Sequence, residues 1–239
     1  SVPVVLMDFI KKYPNNANNS ELERLLIDSY ISSKNYKEAL VLLAKNSAPE
    51  NKAAYQKVLF YSGLELYTDG DYEQALRLFT KATTEQKDAV ITARATFWKG
   101  ETEYVLDDFK NATLSYKQFQ GMAAAKETSE FKNVNYNIAY SYFKLKEYDQ
   151  AGNYFQNQIE NSKDDKVRFH DSYLRLADCR FVTSKYTAAL EAYNKVIELK
   201  SVDADYAYFQ KAICYGFISK NDKKIEELNA FLRLYPKSD

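Results

Sequence analysis

Five times along this 239-residue chain an aromatic side chain is followed three positions later by alanine and, four further on, by another large apolar residue. The sets are Tyr36-Ala39-Leu43, Tyr72-Ala75-Phe79, Phe109-Ala112-Tyr116, Tyr148-Ala151-Phe155 and Tyr186-Ala189-Tyr193. Steps of three and four put each set on one face of a helix. The alanines stand 36, 37, 39 and 38 residues apart, and a period of that length is the signature of a solenoid built from stacked supersecondary units. Length in such a chain counts units, so one array spanning 1–239 is expected.

The intervening sequence predicts an all-α chain. It holds only 6 Gly and 4 Pro, and the prolines fall outside the helical patterns. First helices are expected near 20–33, 51–69, 87–106, 126–145, 165–183 and 203–219, and second helices near 36–46, 71–83, 108–121, 147–161, 186–200 and 222–235. The units then run about 20–50, 51–86, 87–124, 125–162, 163–201 and 202–237. Turns as short as Asp69-Gly70 make the partners antiparallel. A further short helix is expected before them, in a half-unit at 2–14, with Pro3 in its first turn and Pro14 stopping it. Its end, Phe9-Ile10-Lys11-Lys12-Tyr13-Pro14, resembles Phe231-Leu232-Arg233-Leu234-Tyr235-Pro236, 222 residues or six periods of 37 away. The chain is therefore expected to be a piece of a longer repeat protein, able to associate with another copy through its ends.

These residues resemble the tetratricopeptide repeat family, whose units are helix pairs with small residues at the closest backbone contacts. The resemblance implies a right-handed superhelix with the five alanines buried. It assigns the small-residue place in the first helices to Ile27, Gly63, Gly100, Ala139 and Asp178, so the contacts at Ile27 and Asp178 are expected to be splayed. In the sixth unit Lys224 takes the alanine's place, with Leu228 and Phe231 on the buried stripe. Long repeats whose second helix ends in Tyr-Pro are similar to those of bacterial envelope proteins, outer-membrane assembly lipoproteins and the Tol-Pal coordinator among them. That favours the periplasm or cell envelope over the cytoplasm.

Chemistry is sparse. His170 is the single histidine, without the converging partners a metal or general base requires. No glycine pattern forms a phosphate-binding loop. Cys179 and Cys214 sit at equivalent places in successive units, roughly 10 Å apart by helix spacing and beyond disulfide reach. The reading is a non-enzyme with no cofactor and no metal. Lys plus Arg and Asp plus Glu number 33 each, so no net field attracts nucleic acid, and no apolar run is long enough to insert in a membrane.

Aromatic content, 21 Tyr, 14 Phe and 1 Trp, is the feature most open to function. The family turns one face of its first helices toward a concave groove. On that face the resemblance places Lys57, Phe60 and Tyr67, then Arg94, Phe97 and Tyr104, then Tyr136, Tyr140 and Phe143. An aromatic strip with a basic rim suits a partner peptide or amphipathic helix. The competing reading is that the rings pack on one another between units. The family's carboxylate clamp of asparagine and lysine is not supported, since Asp28, Leu64, Glu101 and Tyr140 hold the relevant places.

Overall fold

A computed structural model of the chain describes residues 2–45 and 49–238. Among the described residues there are thirteen α-helices and no strand: α1 (Val2–Lys12), α2 (Asn19–Ser32), α3 (Tyr36–Lys45), α4 (Lys52–Thr68), α5 (Tyr72–Glu85), α6 (Ala89–Val105), α7 (Phe109–Gly121), α8 (Val134–Lys144), α9 (Tyr148–Asn161), α10 (Lys166–Val182), α11 (Tyr186–Glu198), α12 (Ala204–Phe217) and α13 (Asn221–Leu234). This is the all-α solenoid that the repeat implies. The expected extension of α3 to residue 46 lies outside the described residues.

The helices fall into two compact units, residues 1–107 with 121–128, and 108–120 with 129–239. In the first, α1 to α6 pack each on the next, and the first helices α4 and α6 also touch. In the second, α8 to α13 do the same, with α8 touching α10. One element departs from expectation. The first helix predicted from residue 126 begins only at Val134, preceded by two 3₁₀ segments at Ala123–Glu127 and Ser129–Asn133. The longest alanine spacing, 39 residues, spans this region, and the surplus chain is taken up in these turns.

The turn inside each pair explains the strict pairing. Lys34, Gly70, Asp107, Lys146, Ser184 and Ser219 all have left-handed backbones, with φ between 58° and 83°. Where Lys34 closes α2, its amide donates to Ile31 O and the Asn35 amide donates to Tyr30 O at 2.8 Å, which stops the helix and reverses the chain. Glu147 to Tyr142, Lys185 to Arg180 and Lys220 to Tyr215 repeat that bond. Only Gly70 takes this conformation without a steric penalty. The turns are thus set by hydrogen bonding rather than by glycine.

All five repeat alanines are completely buried. The aromatic or leucine four residues on is buried with each of them, at Leu43, Phe79, Tyr116, Phe155 and Tyr193. The splaying expected at Asp178 does not occur, since α10 and α11 pack as closely as the other pairs, whereas α2 and α3, the pair with Ile27, make the sparsest contact of the pairs inside either unit. Ile27 is buried in the core formed with Leu26, Tyr30, Ala39, Leu43 and Val58. In the fifth pair the close contact belongs to Ala177, fully buried and twelve residues before Ala189 just as Gly63 precedes Ala75. Asp178 lies one position further round the helix, with a different task. In the sixth pair Leu228 and Phe231 are half-buried, and the Phe231 ring stands 5.8 Å from that of Phe209.

A surface on the first helices

The nine residues of the expected strip divide between the compact units, six in the first and three in the second. In the first unit Lys57 is exposed, but Phe60 is 0% and Phe97 6% exposed, so both serve as core. The Arg94 guanidinium lies 4.9 Å from the centre of the Phe60 ring and covers it. Tyr67 is half-buried, edge-on to Trp98 and Tyr72 at 5.3 Å each. Burial, reinforced by Glu101, pushes the Tyr67 phenol up to about 12 and raises Tyr104 in the same direction. Both hydroxyls are therefore neutral donors at physiological pH. The competing reading, rings as interhelical packing, holds for Phe60 and Phe97.

The second unit carries a polar cluster that the strip did not anticipate. Tyr136 and Tyr140, one turn apart on α8, both donate to Asp171 Oδ2 on α10, at 2.9 and 2.5 Å. Arg175, one turn on from Asp171, donates through Nε to Tyr140 Oη at 3.2 Å and through Nη1 to Asp178 Oδ2 at 2.9 Å. Asp178 Oδ1 in turn accepts from Tyr193 Oη on α11 at 2.8 Å and from Tyr206 Oη on α12 at 3.2 Å. The cluster thus ties together three consecutive first helices, α8, α10 and α12. Phe143 completes the set, half-buried and edge-on to Tyr148 at 5.4 Å.

Electrostatics keep these groups in defined protonation states. Burial and then Asp171 raise Tyr136; burial and the hydrogen bond to Asp171 push Tyr140 up to about 12. Tyr193 and Tyr206 are raised by burial and by Asp178. Burial also raises Asp178, against the pull of Tyr193 and Arg175. Desolvation opposes the charge on Arg175, but Tyr140, Asp171 and Asp178 outweigh it and its pKa is raised. The arrangement is one cation between two carboxylates, with every tyrosine a donor. It presents hydrogen bonds and charge.

The other chemical candidates are placed plainly. Cys179 and Cys214 are free, buried thiols, pushed up by burial to about 12 and about 11, and so are poor nucleophiles. His170 is half-buried with its ring 6.2 Å from that of Phe169. Among the described residues no group of His, Cys, Asp and Glu could hold a metal ion, and no helix is long and apolar enough to cross a membrane.

The sequence matches the family model of the tetratricopeptide repeat over residues 62–126 and 136–204. The chain belongs to the tetratricopeptide repeat family. No curated protein sequence matches it. Among solved structures it is similar to YrrB, described as a tetratricopeptide repeat protein with an unusual peptide-binding site, at 18% identity and a TM-score of 0.62 over 84% of this chain and 93% of that one. It is similar to MamA at 20% identity and a TM-score of 0.59, over 73% of this chain and 95% of that one. PilF of Pseudomonas aeruginosa superposes over 91% of this chain and 92% of its own, at 17% identity and a TM-score of 0.54. At these identities the likeness is one of fold. As a tetratricopeptide repeat protein the chain has the architecture of a protein-interaction scaffold, a family that is typically not catalytic.

Proposed function

We propose that this tetratricopeptide repeat chain is a non-enzymatic scaffold that binds an extended partner segment on the first-helix face of its second compact unit. The observation that carries the reading is the Asp171-Arg175-Asp178 cluster with its tyrosines. It holds the charges of α10 with tyrosines from α8, α11 and α12 yet leaves 33% of the Arg175 side chain open, with Tyr206 bonded to Asp178 at 42% exposure and Phe209 one turn on along α12 at 40%. Preformed polar groups next to exposed rings are what an interface needs, because rings bury large area for few rotatable bonds. Tyr140 and Phe143 extend the surface along α8. In the first unit Lys57, Tyr67, Arg94 and Tyr104 belong to the corresponding face of α4 and α6, where Phe60 and Phe97 are core. Placement in the cell envelope is part of the same proposal, supported by the long repeat and by Tyr13-Pro14 and Tyr235-Pro236.

The test is a peptide array probed with the native protein and with a Tyr206→Ala, Phe209→Ala double variant whose fold is confirmed by circular dichroism. Loss of bound peptides in the variant, with retention by Lys37→Ala and Lys110→Ala controls on exposed second-helix positions, is expected. Equal retention by the double variant would refute the assignment of this face.

A further inference from the structure

The residue that follows each repeat alanine is Leu40, Leu76, Thr113, Gly152 and Leu190 in turn. Two of these leucines are packed into the core: Leu40 of α3 against the cluster formed by α4, α5 and α6, and Leu190 of α11 against the cluster that includes Ala207 and Cys214 of α12. Gly152 has no side chain to do this. A Cβ built there would point at α10, 3.5 Å from Cys179 Cβ and 3.7 Å from Leu176 Cδ1. In the leucine's place the second unit has a cavity of about 310 Å³ between α9, α10 and α11, floored by Gly152, Leu176 and Cys179. That is at the small end of the roughly 300–1,000 Å³ of sites that hold small ligands.

The rim has its own chemistry. Lys185 Nζ and Asp149 Oδ1, 2.7 Å apart, neutralise each other. Arg180 lines the same cavity and is held only by neutral acceptors, Nη1 to Ala188 O at 3.2 Å and Nη2 to Gln156 Oε1 at 3.3 Å. The cavity therefore combines an apolar hole where sister repeats carry leucine with one half-buried guanidinium that pairs with no carboxylate among the described residues.

We propose that this cavity binds the C-terminal residue of a partner peptide, a branched aliphatic side chain entering the space a leucine fills in the sister repeats and the terminal carboxylate pairing with Arg180. The sister repeats show what packs there, and Arg180 selects the charge beside it. This site is independent of the first-helix surface, so either can fail without the other.

N-acetyl-leucine mimics such a terminus and is the probe. Titrated into the native chain and followed by amide chemical shifts, it should give saturable changes at Gly152 and Thr183. N-acetyl-leucinamide, lacking the carboxylate, and N-acetyl-alanine, lacking the branch, should each bind about tenfold or more weakly, a loss of about 1.4 kcal/mol. Gly152→Leu should fill the hole and abolish the shifts, and Arg180→Gln should reduce N-acetyl-leucine to the level of the amide. Should Gly152→Leu misfold, Gly152→Ala, with its methyl at ordinary contact distance, narrows the same hole and should weaken binding. The proposal is overturned by an absence of saturable shifts, by equal binding of acid and amide, by binding of free leucine without N-acetyl-leucine, or by Gly152 and Arg180 variants that bind as the native chain does.

Discussion

Replacing Gly63 by alanine sets two effects against each other at a single atom. Gly63 is interior to α4, where alanine is the better helix former by about 0.8–1.0 kcal/mol. Its Cβ, however, would stand 2.7 Å from Phe79 Cε1 and 2.9 Å from Phe79 Cδ1. Carbons settle at about 3.5–4.0 Å, so the ring or the helix must give by almost an ångström. Phe79 is fully buried, 6.1 Å from the Phe60 ring and packed in a core with Leu59, Ala75 and Ala82, so there is no free space to yield. Overpacking of this kind costs about 1–3 kcal/mol, and a misfit of almost an ångström against a fully buried ring falls in the upper part of that range, about 2–3 kcal/mol; set against the propensity gain, the net loss is about 1–2 kcal/mol. For a chain of this size the melting temperature then falls by roughly 2–8 °C. Gly152→Ala is the matched control, with the same propensity gain and its nearest contact at 3.5 Å, and should melt about 2–4 °C higher than native. Thermal and urea unfolding followed by far-UV circular dichroism read both, and Phe79→Leu should recover part of the Gly63→Ala loss. If Gly63→Ala melted at or above the native temperature, the claim that this glycine exists to admit the Phe79 ring would be wrong.

Other perturbations follow from the same packing. Gln56 is fully buried, donating to Ala82 O and Thr92 Oγ1 and accepting from the Lys87 and Asp88 amides at 3.0 and 2.7 Å. Gln56→Leu strands those two amides and should cost roughly 2–4 kcal/mol in urea unfolding, with faster hydrogen exchange at the start of α6. Ala112→Leu should cost about 1–3 kcal/mol, and a melting curve identical to native would disprove its place at a close helix contact. Deleting residues 1–15 removes Leu6, Met7 and Ile10 from the core around Leu26 and Ile27, and should lower stability, as measured by protection of α2 amides. Asp178 holds its proton more tightly in the folded chain than its ordinary 3.8, so its contribution is largest below that pH and falls as pH rises through its raised value. An Asp178→Asn variant lacks that gain on acidification and should accordingly show a steeper decline of stability than the native chain as pH falls through the acid range.

Spacing revealed the helix pairs because the repeat alanine is a geometric requirement: a larger residue at Ala75 or Ala151 would separate two backbones, so the interval between such residues measures the unit. Surplus residues carry no such constraint. Between Ala112 and Ala151 the tract Ala123-Ala124-Ala125-Lys126-Glu127 has good helix formers, yet it forms a 3₁₀ turn, because the added length must be absorbed before α8 can pair with α9. The strip of aromatics was legible as a face and not as a surface. Phe60 and Tyr67 share that face of α4, and what separates a core ring from an accessible one is the neighbour opposite, such as the Arg94 guanidinium over Phe60, which no intrahelical period encodes. The polar cluster did leave a trace: Asp171, Arg175 and Asp178 recur at steps of four and three on α10, a charged seam where an apolar one is expected. Its meaning depends on Tyr140, Tyr193 and Tyr206 arriving from other helices, since a buried carboxylate is tolerable only with such donors. The same logic applies to Gly152. Only when the residue after each alanine is read down the repeats does Gly152 stand out, beside leucine in three units and Thr113 in a fourth, and only the fold shows that no other described side chain has moved in to fill the space.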